Sequence, residues 1–331
     1  AAPAPLLAPL PSLPARRGAV VVTSLSTDFR AATALVSEDM PVPTGLQVLV
    51  ARCFAGVNAS DVNFSSGRYM GKGAEKALPF GAGFESVGYV AAVGPRARGV
   101  RVGQAVSTMQ YGAFSTHGLH EARSLLPLAG PPSAGAVALL TSGLTASLAL
   151  EVSGRLRRVG EGGERRKVVC VTAAAGGTGQ FAVQLARLAG HEVVAVCGSG
   201  EKAALLRALG AHRVVNYREQ DVRKELRRMY PDGLDLVFES VGGKMFDDVA
   251  SCVAQLGCII TIGMMSQYTD PKGDALSWPV SAPAGLLERL LWKGARCEGF
   301  LLFHHRRHFR RHLARLQALH ASGRLQAAVD K

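Results

Sequence analysis

The fold of this chain is decided by residues 167–189, which read KVVCVTAAAGGTGQFAVQLARLA. The first six residues are mostly apolar and β-branched, which is typical of a buried strand, and the last ten have apolar residues at helical spacing. A glycine-rich turn between a strand and a helix is the pattern that binds the pyrophosphate of a dinucleotide, because free backbone amides at the helix start face the phosphates. The stretch therefore predicts a dinucleotide site on Ala175, Gly176, Gly177, Thr178 and Gly179.

The alternation of apolar strand and helix continues along the chain. Strands are predicted at 192–197, 213–215, 234–239, 257–263 and 296–302, and helices at 201–209, 244–254, 283–293 and 306–321. Apolar strands separated by helices indicate a parallel sheet covered on both faces. Residues 137–302 are therefore predicted to form a doubly wound α/β domain of the Rossmann type, which begins with a helix over 136–152.

The chain before this domain has a different pattern. Short apolar runs at 19–23, 46–54, 84–93 and 102–109 are separated by Gly and Pro. Many short strands bounded by turn residues are typical of a small, barrel-like β unit. Residues 1–17 contain five prolines, which prevent a regular helix or strand, so we expect a disordered leader there.

The composition fits a soluble globular protein, since 48% of the 331 residues are hydrophobic and 19% are charged. The six cysteines include no Cys-x-x-Cys pair, which favours free thiols in a reducing compartment. We find no apolar run of membrane-spanning length. The net charge is +13, and its densest cluster lies at 304–315. A solvated basic helix face is the simpler interpretation of this cluster, and a binding patch is the alternative.

The choice between NADH and NADPH depends on the end of the second strand of the parallel sheet. NADH sites have a carboxylate there, which binds the ribose 2′-hydroxyl. Here the strand ends at Cys197 and is followed by Gly198-Ser199-Gly200, and the next helix begins with Glu201 and Lys202. Small, uncharged residues and a cation suit a 2′-phosphate, which Tyr217, after the third strand, would help to enclose. The sequence predicts NADPH.

Several stretches together resemble the medium-chain dehydrogenase/reductase superfamily, in its quinone-oxidoreductase-like branch. They read GVNASD at 56–61, GFE at 83–85, TAAAGGTGQF at 172–181 and ESVGGKMFD at 239–247. The resemblance covers about 20–331. It implies an α/β fold in which a GroES-like, β-rich catalytic domain, here 18–136 with 303–331, accompanies a Rossmann domain. Because chains of this family continue for another strand and helix, we expect the C-terminal part to be incomplete.

The resemblance also implies an activity. Members of the branch reduce the carbon–carbon double bond of α,β-unsaturated ketones with NADPH. Within the branch the chain resembles prostaglandin reductases, which convert 15-keto-prostaglandins to 13,14-dihydro-15-keto-prostaglandins. The positions that correspond to cofactor or site residues are Thr178, Lys202, Tyr217, Ser240, Ile262 and Tyr268, with Phe300, Leu301 and Leu302 near the nicotinamide. The family position before Ser199 is often serine, and Gly198 in its place implies one hydrogen bond fewer to the phosphate.

The same motifs argue against a catalytic metal. Zinc-dependent members of the superfamily have Cys where this chain has Asn58 and His where it has Phe84. Asn is a poor zinc ligand and Phe is none, so we expect no zinc. The histidines at 304, 305, 308 and 312 lack an acid or cysteine partner nearby, and metal binding there would be adventitious.

Without a metal, reduction of an enone requires another group to stabilise negative charge on the substrate oxygen. Tyr268, in the sequence Ser266-Gln267-Tyr268, is the first candidate donor, and a similar Ser-Gln-Tyr occurs in another prostaglandin reductase. Asn58 is the second. Tyr268 acting only as a cover for the nicotinamide is the alternative.

Other functions remain open at this point. The same machinery would serve a quinone reductase or an enzyme that detoxifies reactive enones. A different class is an NADPH-binding protein whose partner is nucleic acid, although no nucleic-acid fold signature is present. A homodimer is possible through the last strand at 296–302. The resemblance implies a peroxisomal enzyme, and a cytoplasmic one is the alternative.

Overall fold

The structure is a computed structural model that describes residues 13–268 and 285–330. The chain divides into two compact units, the first ending at Leu140 and the second beginning at Thr141. The prediction of a β-rich unit followed by a parallel α/β unit is confirmed.

The first unit is built from antiparallel sheets. Its strands are β1 (Arg16–Val22), β2 (Thr33–Asp39), β3 (Gln47–Gly56), β4 (Phe80–Gly81), β5 (Glu85–Val93), β6 (Ala105–Met109), β7 (His117–Glu121) and β8 (Leu126–Pro127). Its helices are α1 (Phe29–Ala32), α2 (Ala59–Ser65) and α3 (Ala134–Ala138). The strand orders are β2-β1-β4 and β7-β3-β5-β6-β8. The larger sheet buries Val48, Val50, Val90, Val106 and Leu125 in one core.

The second unit contains a six-stranded sheet in the order β11-β10-β9-β12-β13-β14, with every pairing parallel. Its strands are β9 (Val168–Val171), β10 (Glu192–Cys197), β11 (Arg213–Asn216), β12 (Leu234–Glu239), β13 (Val253–Thr261) and β14 (Arg296–Gly299). Its helices are α4 (Leu144–Leu148), α5 (Gly177–Leu188), α6 (Gly200–Ala208), α7 (Val222–Met229), α8 (Gly243–Ala250), α9 (Leu286–Lys293) and α10 (Phe309–Ala321). The order reverses between β9 and β12, which is where such sheets bind ligands.

The predicted boundaries are close for β10 and β12 and less so elsewhere. The helix predicted over 244–254 ends at Ala250, and β13 begins at Val253. The prediction was wrong there because Val253 and Ala254 are buried strand residues with the same apolar character as a helix face. The elements that were not predicted are strands β2, β4, β7 and β8 and helices α1, α2 and α7.

The helical run over Ala134–Ser153 has 20 residues and contains an 18-residue apolar window with a mean hydropathy of 1.5. By length and composition alone, it is long and apolar enough to cross a membrane. The expectation that no run reaches this length was therefore wrong. However, 67% of the apolar window is buried inside the protein, as in the core helix of a globular fold, so it is weak evidence for a membrane span. The run includes two π-helical segments, Leu139–Gly143 and Ala149–Ser153.

The tail predicted to join the β-rich domain, 303–331, lies instead within the second unit as far as the structure describes it. The side chains of Leu313, Leu316 and Leu325 are buried there. Two side-chain amides of α5 also bind the tail backbone: Gln180 at Ala328, with distances of 2.9 and 2.7 Å, and Gln184 at Gln326, with distances of 2.9 and 2.8 Å. These contacts hold the tail in the second unit, so its assignment to the β-rich domain was wrong.

Most of the predicted disordered leader, residues 1–12, lies outside the described residues. Arg16 and Arg17, also placed in the leader, begin strand β1. Arg16 donates to Asp39 at 3.0 Å, and Arg17 donates to Glu38 at 2.6 and 2.9 Å. Pairing with β2 therefore extends the first strand further toward the N-terminus than the prolines indicated.

Candidate active site

The glycine-rich turn lies at the carboxyl end of β9, at the reversal of strand order. Ala173 has a φ of +45°, and Gly176 is the N-cap of α5 without a side-chain cap among the described residues. Gly176 and Gly177 are exposed. The first amides of the helix are therefore available to an anionic group, as a pyrophosphate requires.

Two close contacts fix the shape of this turn. A Cβ on Gly179 would lie 2.4 Å from the carbonyl oxygen of Ala173, and a Cβ on Gly177 would lie 2.9 Å from Oγ of Ser142. Ser142 belongs to the first π-helical segment. The helix thus approaches the backbone of the turn at Gly179 at a distance that only glycine permits, and at Gly177 it lies against the hydroxyl of Ser142.

A buried carboxylate holds the neighbouring loop after β12. Glu239 is 0% exposed, and its side chain accepts hydrogen bonds from the backbone amides of Val241 and Gly242 at 2.8 and 3.0 Å and from the Thr172 hydroxyl at 3.2 Å. The Thr172 hydroxyl in turn accepts one from the amide of Ser240 at 2.9 Å. Burial raises the pKa of Glu239, and these donors oppose the shift. Ser240 is thereby fixed beside the glycine-rich turn.

The predicted 2′-phosphate pocket lies at the carboxyl ends of β10 and β11. Ser199 caps α6, with its hydroxyl accepting from the amide of Lys202 at 3.2 Å, and the Lys202 side chain is exposed. The amide of Tyr217 donates to the carbonyl of Cys197 at 3.0 Å, which brings Tyr217 to the tip of β10. No carboxylate side chain follows β10 directly, as predicted for NADPH.

Gly198 also has a steric role, besides the predicted absence of one hydrogen bond to the phosphate. A Cβ at this position would lie 2.6 Å from the hydroxyl oxygen and 2.7 Å from Cζ of Tyr217. The glycine therefore makes room for the Tyr217 ring, which the sequence did not indicate.

Tyr268 lies after β13 and is 8% exposed. A Cβ on Gly263 would lie 2.9 Å from its hydroxyl oxygen, so the hydroxyl lies against the backbone that follows Ile262. The turn before Tyr268 is tied to the loop after β12, because the amides of Met265 and Ser266 donate to the carbonyls of Ser240 and Val241 at 3.1 and 2.9 Å. The tyrosine hydroxyl is therefore held at the edge that carries the glycine-rich turn.

The three residues predicted near the nicotinamide differ in exposure. Phe300 follows β14, and His305 stacks on its ring with a centroid distance of 4.8 Å. Leu302 is buried, whereas Leu301 is 47% exposed. Of the three, Leu301 is the side chain available to a ligand at this edge of the sheet.

Asn58 belongs to the first unit, where it joins a cluster of carboxylates. Its amide nitrogen Nδ2 donates to Oε1 of Glu85 at 2.7 Å, and its backbone amide donates to Oδ2 of Asp61 at 2.8 Å. Burial raises the pKa of Asp61 to about 6, opposed by the bond from the Asn58 backbone and reinforced by the charge of Glu85. Gly56 lies so close to Glu85 that a Cβ there would be 2.2 Å from Oε1.

The other position of a lost zinc ligand, Phe84, is part of an aromatic cluster. The centroid of its ring lies 5.2 Å from that of Tyr111, and the Tyr111 centroid lies 3.9 Å from that of Phe64.

In the second unit, His312 is bound through Nδ1 to the Ser147 hydroxyl at 2.8 Å. Among residues 13–268 and 285–330, no group of three or more His, Cys, Asp or Glu side chains is arranged to hold a metal.

The second unit thus brings the cofactor candidates from Ala175 to Leu302 to one edge of the sheet, whereas Asn58 is part of the separate cluster in the first unit. The sequence did not reveal three supporting residues, Ser142, Thr172 and Glu239. A buried Glu directly before Ser-Val-Gly-Gly was the available signal for the last of them.

Comparison with known proteins agrees with this geometry. Residues 44–139 match the alcohol dehydrogenase GroES-like domain, and residues 177–317 match the zinc-binding dehydrogenase domain. Prostaglandin reductase-3 from Bos taurus is 43% identical over 321 residues, which is 96% of this chain and 81% of that protein. A probable quinone oxidoreductase from Leishmania amazonensis is 38% identical over 315 residues, covering 94% and 88% of the two chains.

Solved structures give the same fold. The Escherichia coli quinone oxidoreductase complexed with NADPH has a TM-score of 0.78 at 24% identity, covering 95% of this chain and 90% of that one. A mycobacterial protein complexed with NADPH has a TM-score of 0.76 at 26% identity, covering 95% and 91%.

Proposed function

Since the chain belongs to the medium-chain dehydrogenase/reductase superfamily, in its quinone-oxidoreductase-like branch, we propose that its preferred substrates are 15-keto-prostaglandins, reduced to 13,14-dihydro-15-keto-prostaglandins. More generally, the activity is NADPH-dependent reduction of enones or quinones. The proposal for prostaglandins is supported by the identity of 43% to prostaglandin reductase-3 over nearly the whole chain.

One observation carries the proposed chemistry: the buried Tyr268 hydroxyl and the glycine-rich turn lie at the same edge of one parallel sheet. NADPH, when bound, supplies a hydride. Addition to the β-carbon of an enone moves negative charge to the carbonyl oxygen, and a positioned hydroxyl stabilises that charge. Tyr268 is the first donor candidate because it lies at the sheet edge that carries the glycine-rich turn, whereas the amide of Asn58 donates to Glu85 within the first unit. Asn58 then positions the carboxylates of the first unit.

The deciding experiment measures NADPH oxidation with 15-keto-prostaglandin E2, a simple quinone and an aliphatic aldehyde. We expect turnover of the prostaglandin with a product reduced at the 13,14 bond, identified by mass spectrometry. Turnover of the quinone alone would support the quinone reductase alternative instead. Tyr268→Phe should lower kcat for the enone by about a hundredfold or more, and Tyr230→Phe, whose hydroxyl donates to Glu192 at 3.3 Å, is the control. An unchanged kcat in Tyr268→Phe would remove it from catalysis.

Two further proposals concern partners and location. A dimer through β14 is supported by the position of this strand at the end of the described sheet and by the exposed side chains of Leu287, Leu291 and Trp292 on the preceding helix. Peroxisomal residence rests on the resemblance alone, and imaging of the protein in cells beside a peroxisomal marker would test it. Nucleic-acid binding has no support from the basic segment, because Phe309 is buried and Arg306 lies over the Phe303 ring at 5.4 Å.

A further inference from the structure

A cavity of about 460 Å³ lies in the second unit at the far end of α5 from the glycine-rich turn. Its walls come from the second π-helical segment, residues 156–161, the last turn of α5 and helix α10. Because α5 has 12 residues, the two ends of the helix are about 18 Å apart. The cavity is therefore separate from the cofactor site.

The floor of the cavity is apolar. It is lined by Leu150, Leu156, Leu185, Leu188 and Leu319. Leu150, Leu156 and Leu185 are buried side chains of the core. A ligand with an apolar body would remove the open side of this leucine surface from water, which is the main favourable term in binding such a group.

The rim of the cavity is strongly basic. It carries Arg157, Arg158, Arg311, Arg315 and Arg324, against the acids Glu151 and Glu161. Arg315 forms an ion pair with Glu151, and Nε2 of His312 lies 3.8 Å from the same carboxylate. The other four arginines form no ion pair within residues 13–268 and 285–330. Glu161 is thus the single acid left to offset four guanidinium groups.

We propose that this cavity binds an amphipathic anion, with an apolar chain on the leucine floor and a carboxylate or phosphate head between the arginines. Like charges gathered on one rim repel each other, and an anionic head relieves that repulsion. The planar guanidinium group binds carboxylate and phosphate oxygens in pairs. The leucines and the arginines together select both parts of such a ligand, whereas a surface of scattered arginines would select only the charge.

Isothermal titration of the NADPH-saturated enzyme tests this proposal independently of any reductase activity. The probes are dodecanoate, dodecyl phosphate, hexanoate, inorganic phosphate and dodecyltrimethylammonium. We expect the two twelve-carbon anions to bind, with affinity rising roughly threefold to fourfold for each methylene group that is buried. Tighter binding of dodecanoate would identify a fatty carboxylate as the ligand class, and tighter binding of dodecyl phosphate would identify a lipid phosphate. Equal binding of inorganic phosphate, or of the cationic detergent, would overturn the proposal.

Variants locate the binding within the cavity. Arg311→Glu/Arg324→Glu should weaken dodecanoate binding by about tenfold to a hundredfold, because both side chains are exposed and unpaired among the described residues. Arg227→Glu, a single charge reversal on the exposed side of α7, is the control. If the double reversal unfolds the protein, Arg311→Gln/Arg324→Gln replaces it. Equal weakening by Arg227→Glu, or none by the cavity variants, would show that the site is elsewhere.

Discussion

The hydroxyl oxygen of Tyr217 lies 2.6 Å from the position that a Cβ on Gly198 would occupy, so any side chain at the tip of β10 would displace the ring of the tyrosine after β11. Tyr217 is 47% exposed, and its backbone amide donates to the carbonyl of Cys197 at 3.0 Å. The pair forms one wall of the pocket assigned to the 2′-phosphate of NADPH.

Gly198→Ser should therefore displace the Tyr217 ring and weaken NADPH binding, even though serine offers a hydroxyl to the phosphate. We expect a loss of about threefold to tenfold, the usual range for one displaced contact. Fluorescence titration with NADPH measures it. In Gly198→Ser/Tyr217→Ala the two changes should be non-additive, because the clash is gone once the ring is removed. Additive losses would mean that the two residues do not interact in the bound protein.

Gly179→Ala tests the packing of α5 against the glycine-rich turn. The new methyl group would lie 2.4 Å from the Ala173 carbonyl oxygen and 2.7 Å from the Ala174 Cα, both backbone atoms that cannot move aside. We expect the unfolding free energy to fall by about 1–3 kcal/mol and NADPH affinity to fall with it. Urea unfolding measures the first. Gly200→Ala, whose Cβ would meet no atom within 4 Å, is the control, and equal stability of the two variants would contradict the packing described.

The sequence predicted the parallel sheet and the turn because both depend on local pattern: an apolar strand, three glycines and a helix. It did not predict Glu239 as the support of the loop after β12, because its partner Thr172 meets it only once β9 and β12 are neighbours. The same limit applies to Gly198, since Tyr217 reaches it from the next strand.

For the tail, the family resemblance predicted the wrong unit. Family architecture placed 303–331 with the β-rich domain, and the glutamines of α5 bind this segment in the second unit. Gln180 and Gln184 are one helical turn apart, which places both amides along one face of the helix. That spacing is visible in the sequence, but its partner, the backbone at 326–328, which has no regular secondary structure, is not.

Lys202→Glu should lower the preference for the phosphorylated cofactor. The exposed Lys202 side chain, at the start of α6, is the cation nearest in sequence to Ser199. Its replacement should lower kcat/KM with NADPH by about tenfold to a hundredfold and leave the value with NADH nearly unchanged. Steady-state kinetics with both cofactors measures this. Lys224→Glu, on the exposed side of α7, should change neither value, and an unchanged NADPH preference in Lys202→Glu would assign the phosphate to other residues.

Asp61 predicts a pH dependence of stability. Its pKa in the folded protein is about 6, raised from 3.8 by burial, so between these values the folded state holds a proton that the unfolded state releases. The contribution of this proton to the unfolding free energy is fully present below about pH 4 and is lost as the pH rises through 6.

Asp61→Asn is neutral at every pH and its side-chain oxygen still accepts a hydrogen bond. Its unfolding free energy relative to the wild type should therefore increase by up to about 3 kcal/mol between pH 4 and 7, measured by urea unfolding at each pH. Glu75→Gln, at an exposed carboxylate of the same unit, should show no such trend. A constant difference between Asp61→Asn and the wild type would mean that Asp61 titrates normally.

The proposed dimer predicts that exposed leucines of α9 are buried between two copies. Leu287 and Leu291 are 81% and 76% exposed and lie four residues apart, on one face of the helix. Strand β14 ends the described sheet with one side unpaired, and such an edge pairs readily with a second copy across a two-fold axis. Light scattering should show a dimer for the wild type and a monomer for Leu287→Glu/Leu291→Glu. Leu35→Glu, at a leucine of the first unit that is 82% exposed, should remain dimeric, and a monomeric wild type at micromolar concentration would rule out this interface.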